Sequence, residues 1–235
     1  MRNYIELNGV SSNTIQGLLI QELPPITKPK MRANIEEIDG KSGDIITELG
    51  YSAYDKPVQI GLYGDFDIDQ VISYFNSLGQ VVFSNEPDKY YNYTILDQID
   101  FNKLIRFRTA TVKFHCQPFK FSQENNSMTF NISEGITSIN ITNAGNIYSK
   151  PILIITGTDD LGIYLNGVQI FAISLGNLNQ IIIDTNNMNA YIGTTFLNRI
   201  VIGDYNNFKL NQGDNQISWT GNISQITIEN YSRWI

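Results

Sequence analysis

The chain has 235 residues, 42% hydrophobic and 17% charged, with a net charge of −7. Such acidity excludes the basic field that a nucleic-acid-binding surface needs, although DNA could pass nearby without adhering. One cysteine, Cys116, and one histidine, His115, exclude an internal disulfide and leave little for metal or nucleophilic chemistry.

In chain order, residues 3–10 read as a first strand ending at the hairpin signal Asn8-Gly9. Ser11 to Leu23 is expected to pair back onto it. Pro24, Pro25 and Pro29 make Leu23 to Arg32 an extended arm. Ala33–Ile38 and Asp44–Leu49 then flank a glycine-rich tip, Asp39-Gly40-Lys41-Ser42-Gly43. Val58, Ile60 and Leu62 alternate with Gln59, Gly61 and Tyr63, a strand with one buried face. A helix is predicted near 67–78. Asp67 and Gln70 form a capping-box pattern, Ile68, Val71, Ile72, Phe75 and Leu78 form its apolar face, and Gly79 is its left-handed stop.

Gln80–Ser84 reads as a short strand, Asn85-Glu86-Pro87-Asp88 as a turn, and Tyr90–Leu96 as a second strand. Leu104 to Cys116 reads as a longer strand. Its apolar residues switch from odd positions (Ile105, Phe107) to even ones (Ala110, Val112, Phe114, Cys116), which predicts a bulge or bend near Arg108-Thr109. Cys116 is expected to be a small buried apolar group.

Composition changes after the polar stretch Ser122–Asn126, the expected boundary. Residues 126–235 hold four basic residues (Lys150, Arg199, Lys209, Arg233) and seven acidic ones. Short alternating stretches recur: Thr129–Ile132, Ile139–Ile141, Ile152–Ile155, Ile163–Leu165, Val168–Phe171, Gln180–Ile183, Ile217–Trp219 and Ile226–Ile228. Turn signals such as Asn143-Ala144-Gly145-Asn146 and Asn166-Gly167 separate them. That pattern reads as an all-β sandwich without a helix.

Several motifs have ordinary explanations. Gly40-Lys41-Ser42 resembles the end of a phosphate loop, but Ile35 stands where the first glycine belongs and a strand follows. Asp65, Asp67 and Asp69 imitate a calcium loop, but Gln70 and Asn76 occupy its glycine and glutamate positions. Acids at a helix N-terminus suit the dipole instead. No Gly-x-Ser-x-Gly turn presents a serine to His115, which neighbours Lys113 on a solvated or interfacial strand face. Arg106 and Arg108 share one face and suit either solvent or a subunit interface. Trp219, Trp234 and Tyr231 could stack on a sugar, with Trp219 read as facing away from Ile217; packing is the ordinary alternative. The N-terminal Met1–Glu6 lacks a signal-peptide core, and the aliphatic run Ile152–Ile155 is far short of a membrane span. The expectation is a soluble chain from a reducing compartment, for which sequons such as Asn131 and Asn222 carry no meaning.

Two stretches taken together resemble the distal tail proteins (Dit) of long-tailed phages of Gram-positive bacteria. The first is Leu78 to Tyr91, continued by Val112 to Phe119 with its Phe-x-Cys-x-Pro-aromatic run. The second runs through Asn143-Ala144-Gly145-Asn146, Lys150-Pro151-Ile152, Ile183-Asp184, Met188 and Tyr191. It continues with Gly203-Asp204-Tyr205, Phe208, Leu210, Gly213, Asn215 and Ile217, and ends at Arg233-Trp234. Asp39-Gly40-Lys41-Ser42-Gly43 departs from the family's Pro-Gly-Arg-Asp-Gly loop in its charges but keeps its glycines, and 156–180 carries no family motif.

The resemblance implies a mainly β chain of two sandwich domains. Residues 1–122 would form a ring-closing domain with one helix and an arm, and residues 127–235 a galectin-like domain. It implies a homohexameric ring in the virion, at the phage tail tip, after synthesis in the host cytoplasm. The ring's partners would be the major tail tube protein, a tail-tip or tail-fibre protein and, in many phages, receptor-binding proteins. DNA would traverse its channel without specific binding. Neither enzymatic activity, cofactor, metal nor membrane insertion is expected. A carbohydrate-binding module built on the aromatics of 126–235 is the alternative, and a cell-wall hydrolase with paired carboxylates a third reading.

Overall fold

The computed structural model describes residues 2–124, 127–229 and 232–235. By its internal contacts the chain divides into two compact units, residues 2–120 with Ile235 and residues 121–234. The expected linker, Ser122–Asn126, lies partly outside the described residues, which omit Asn125 and Asn126. Strand dominates both units, and no helix is long and apolar enough to cross a membrane among the described residues.

The first unit contains β1 (Ile5–Leu7), β2 (Val10–Ser11), β3 (Leu18–Glu22), β4 (Met31–Glu36), β5 (Ile45–Tyr51), β6 (Tyr54–Leu62), helix α1 (Ile68–Tyr74), β7 (Leu78–Phe83), β8 (Lys89–Thr94), helix α2 (Phe101–Phe107) and β9 (Thr109–Ser122), whose last two residues fall in the second unit. Seven strands make one sheet in the order β2-β1-β7-β8-β9-β6-β3; β4 and β5 form a separate hairpin. The core lies between this sheet and α1, with Ile5, Val58, Ile60, Val71, Phe83, Tyr91, Val112 and Phe114 buried in it.

Asn8 and Gly9 both take positive φ and close the β1–β2 hairpin. Only Val10–Ser11 pairs back onto β1. Ser11 then caps a 3-10 turn over Ser12–Thr14, which diverts the chain so that Leu18–Glu22 pairs with β6 instead. This corrects the expected pairing of Ser11–Leu23.

Helix α1 ends four residues before its expected limit. Asp67 caps it by accepting from the Asp69 and Gln70 amides, but the Gln70 side chain accepts from Gln16 N–H at 3.3 Å rather than closing a capping box. Its inner face is Ile68, Val71, Tyr74 and Phe75; Ile72 and Leu78 are exposed. Tyr74 Oη donates to the Ile5 carbonyl at 3.0 Å, which pins the helix to β1. Gly79 is no helix stop. It lies in β7, where a Cβ would overlap the Asn8 side chain.

The parity switch near Arg108 is a helix–strand junction, not a bulge within one strand. Asp100 accepts from Lys103 N–H at 2.8 Å, Leu104 is buried, and Arg108 (φ 58°) ends α2 in the left-handed region. From Ala110 onwards the alternation is regular. Cys116 is fully buried, as expected.

The second unit contains β10 (Ser127–Asn131), β11 (Ser138–Asn143), β12 (Ile152–Leu165), β13 (Val168–Ser174), β14 (Gln180–Asp184), β15 (Asn189–Ile192), β16 (Thr195–Phe196), β17 (Val201–Gly203) and β18 (Gly213–Glu229). The expected short strands are there, but several are halves of two long ones. β12 has 14 residues and β18 has 17, and they pair along their length with register shifts at Thr156/Gly157 and Thr158/Gly162. Before the shifts β12 pairs with β14, after them with β13. A single hydrogen-bonded sheet therefore curls into two layers around Leu153, Ile163, Phe171, Phe208 and Ile226. At the crossing, a Cβ on Gly157 would strike the Asn222 carbonyl, and one on Gly221 (φ +90°) the Asp160 carbonyl.

Candidate assembly surface

The β4–β5 hairpin is the most unusual part of the first unit. Its register pairs Met31 with Tyr51, Ala33 with Glu48 and Ile35 with Ile46, so these share one face; Asn34, Glu36, Ile45 and Thr47 share the other. The first face is apolar apart from Glu48, yet it stays open to solvent: Met31 is 44% exposed, Ile35 59% and Ile46 60%. A two-stranded ribbon is marginal by itself, and an apolar face without a cover marks an interaction site. The extended proline segment expected over Leu23–Arg32 is therefore the stalk of a longer arm, whose far end is the glycine-rich tip at 39–43.

The stalk is fastened by buried polar groups. Lys56 lies at the core-facing parity of β6 and is 2% exposed. Its Nζ donates to the Pro25 carbonyl at 3.2 Å and sits 4.8 Å from the Tyr91 ring centroid. Burial lowers its pKa from the usual lysine value. Asn85 Nδ2 donates to the Pro24 carbonyl at 3.0 Å. Behind them, Glu86 accepts from Tyr91 Oη at 2.8 Å and from Lys120 Nζ at 2.7 Å. Tyr51, at the root of the hairpin, packs edge-on against Phe119 at 5.9 Å between centroids.

A second exposed patch surrounds α2. Ile105 and Phe107 face solvent beside Lys103, Arg106 and Arg108. Arg108 lies over the Phe66 ring at 4.7 Å and Arg106 over Phe107 at 5.2 Å. Sequence reasoning named Arg106 and Arg108 but read them on a strand; it missed Lys56 and the apolar face of the hairpin.

The remaining candidates resolve into structure. His115 Nδ1 lies 2.8 Å from Asp55 Oδ1 on an outward strand face, and Lys113 pairs with Asp97 at 3.0 Å. Gly40-Lys41-Ser42 is the hairpin tip, and the acids at 65–69 lead into α1. Among the described residues no group of three or more His, Cys, Asp or Glu could hold a metal ion. Trp219 is 5% exposed and packs in the second core with Ile217, on the same inner face rather than the opposite one. Trp234 is half-buried, and Tyr231 lies outside the described residues, so no stacking platform is assembled from the three. The second unit has an open groove of about 420 Å³ walled by Asn166, Gln169, Asn206, Asn207, Lys209 and Asn211; no aromatic ring lines it.

The family motifs of the second unit are packing and turn devices. Asn143 is buried and its Nδ2 donates to the Ile147 and Leu210 carbonyls. Asp184 accepts from the Asn186 and Asn187 amides, and Phe208 and Leu210 are fully buried.

No protein-family model matches the chain, and no curated protein does. Solved structures do. Over 97% of its length the chain matches 99% of the Dit protein (gp 19.1) of phage SPP1, described as a paradigm of the hub adsorption apparatus in phages that infect Gram-positive bacteria; the TM-score is 0.66 and the identity 15%. Chains of the phage p2 baseplate in its activated conformation, with Sr and with Ca, match 97% of this chain at TM-scores of 0.49 and 0.46 and 13% identity. The class defined here is thus a two-unit, mainly β fold carrying an apolar arm. In particular, it is the fold of SPP1 Dit, as the resemblance read from Leu78–Tyr91 and Val112–Phe119 implies.

Proposed function

We propose that this chain is a structural hub of a phage tail tip. Copies close into a hexameric ring in the virion that joins the tail tube to the tail-tip protein and to receptor-binding proteins, and DNA passes through the channel. In this reading residues 1–122 make the ring and 127–235 face outward. The ring closes by head-to-tail contacts, with the arm laid on a neighbouring copy. The chain acts by assembly, not by catalysis.

The observation that carries this is the agreement of fold with SPP1 Dit over nearly the whole of both chains. The open apolar face of β4–β5 agrees with it, because a single copy has nothing to cover Ile35 and Ile46. The carbohydrate-binding alternative loses its main support, since Trp219 is a core residue.

The test is the mass of the purified protein by light scattering during size exclusion, with negative-stain images of the peak. Rings of about six subunits are expected. A monomer at every concentration that also fails to assemble on purified tail tubes overturns the reading.

A further inference from the structure

The arm and the α2 patch have complementary chemistry. Residues 31–51 carry five carboxylates (Glu36, Glu37, Asp39, Asp44, Glu48) against Arg32 and Lys41. None of the five is in an ion pair among the described residues. Glu48 stands on the exposed apolar face, Glu36 on the reverse face, and Glu37, Asp39 and Asp44 in the connection at the tip. Around α2 the arrangement is inverted: Ile105 and Phe107 are exposed and fringed by Lys103, Arg106 and Arg108, again without an ion pair. Of the acids nearby, Asp97 pairs with Lys113, Asp100 caps α2 and Asp67 caps α1, which leaves Asp65, beside the Phe66 ring under Arg108, as the patch's exposed carboxylate.

The arm's root and the α2 patch also sit at opposite ends of β9. β6 and β9 pair antiparallel, Tyr54 with Cys116 and Gly61 with Thr109. The arm's root packs against Phe119, while Arg108 immediately precedes Thr109. Ten residues of β9 separate the two ends, about 33 Å at the usual strand rise. A copy that carries an acidic, apolar arm at one end and a basic, apolar patch at the other is built for a head-to-tail contact with its own kind.

We infer that the arm of one copy docks its Met31/Ile35/Ile46 face on the α2 patch of the next. There its carboxylates meet Lys103, Arg106 and Arg108 of that copy. This rests on the hub reading and names the receiving surface within it.

Cysteine pairing tests it. In a Cys116→Ser background, Ile35→Cys and Phe107→Cys are made singly and together, and each is oxidised without reductant. The contact predicts a ladder of covalent oligomers beyond the dimer from the double variant. It predicts only a dimer when the two single variants are mixed. A reciprocal two-fold contact would stop the double variant at the dimer and overturns the inference. So does the absence of any ladder.

The wild-type mass separates this from the hub reading. Rings without a ladder overturn the docking surface and leave the hub; no rings and no ladder count against both. A second pair of variants guards against misfolding. Lys103→Glu/Arg106→Glu should weaken self-association at least about tenfold, with an unchanged melting curve. Adding Glu37→Arg/Glu48→Arg, at the parity of the docking face, should restore it; failure of that rescue, with both proteins folded, also overturns the inference.

Discussion

Lys56 Nζ donates to the Pro25 carbonyl at 3.2 Å from inside the core of the first unit. A buried ammonium is costly unless it is held by good acceptors. Its partner is a backbone carbonyl at the base of the arm, helped by the faces of Tyr54, Phe83 and Tyr91. The same contact satisfies the lysine and fixes where the arm leaves the unit.

Lys56→Met keeps the volume of the side chain and removes this contact. The expected result is a folded protein with a loosened arm root: limited proteolysis between Leu23 and Met31 should speed up while the core's unfolding midpoint moves little. Lys56→Ala adds a cavity and an orphaned carbonyl, and should cost about 2–4 kcal/mol in urea unfolding. Burial lowers the folded-state pKa of Lys56, so folding opposes its charging. Its penalty is full below that lowered value and fades as pH rises toward the unfolded value of 10.5. Lys56→Met should remove that alkaline gain.

The Glu86–Lys120 pair is a second buried charge device, at 2.7 Å, with Tyr91 Oη on the same carboxylate. Its side chains are only 12% and 7% exposed. Glu86→Gln or Lys120→Met alone leaves one buried charge uncompensated and should cost about 3–5 kcal/mol. The double variant removes both charges and should recover most of that loss. A double-mutant cycle in denaturant reads the difference; additive losses would show that the pair is not coupled.

Much of the fold was legible because it is periodic. Val58, Ile60 and Leu62 in β6, and Ala110 to Cys116 in β9, alternate so regularly that register and buried face follow. The same parity extends to Lys56 and Lys120, and it marks both lysines as buried; their charge hid the signal. α2 was missed because Ile105 and Phe107 alternate like a strand over too few residues for a helical period to stand out. The long strands of the second unit read as fragments because Asp159, with φ 63°, and Gly221 take turn conformations inside β12 and β18. Of the assembly surface, the arm's glycine-rich tip was visible. The unpartnered face of the hairpin was not, because the eight-residue connection between Glu36 and Ile45 does not dictate which residues of the two strands pair.

Cys116 gives a pH-dependent prediction. Burial raises its pKa from 9.0 to about 12, so the folded state favours the neutral thiol. Below pH 9 the thiol is neutral folded or unfolded and adds no pH dependence. Between 9 and 12 only the unfolded chain releases the proton, so stability falls as pH rises, on the order of 1 kcal/mol per pH unit. Tyr54 and Tyr93, each pushed up to about 12 by burial, contribute with the same sign above pH 10. Urea unfolding from pH 8 to 11 measures the slope. Cys116→Ser should flatten its onset between 9 and 10, and a thiol reagent at pH 8 should label the unfolded chain once and the native one slowly.

Trp219 and Gly221 test how the second unit is built. Trp219 pairs with Ile163 across the β12–β18 ladder and is enclosed by the core. Trp219→Ala should cost about 3–5 kcal/mol through the cavity it leaves. A solvent-facing sugar platform would instead leave stability unchanged and abolish glycan binding. Gly221→Ala should cost at least about 1–3 kcal/mol, because alanine is strained at φ +90° and its methyl meets the Asp160 carbonyl. The matched control is Gly135→Ala, also at positive φ (+85°) but with open space where the methyl would go. The two share the backbone strain, so the excess loss at Gly221 measures the close approach of the two long strands. Equal losses would mean that β12 and β18 can separate there without harm, and that the curl of the sheet is not set at this crossing.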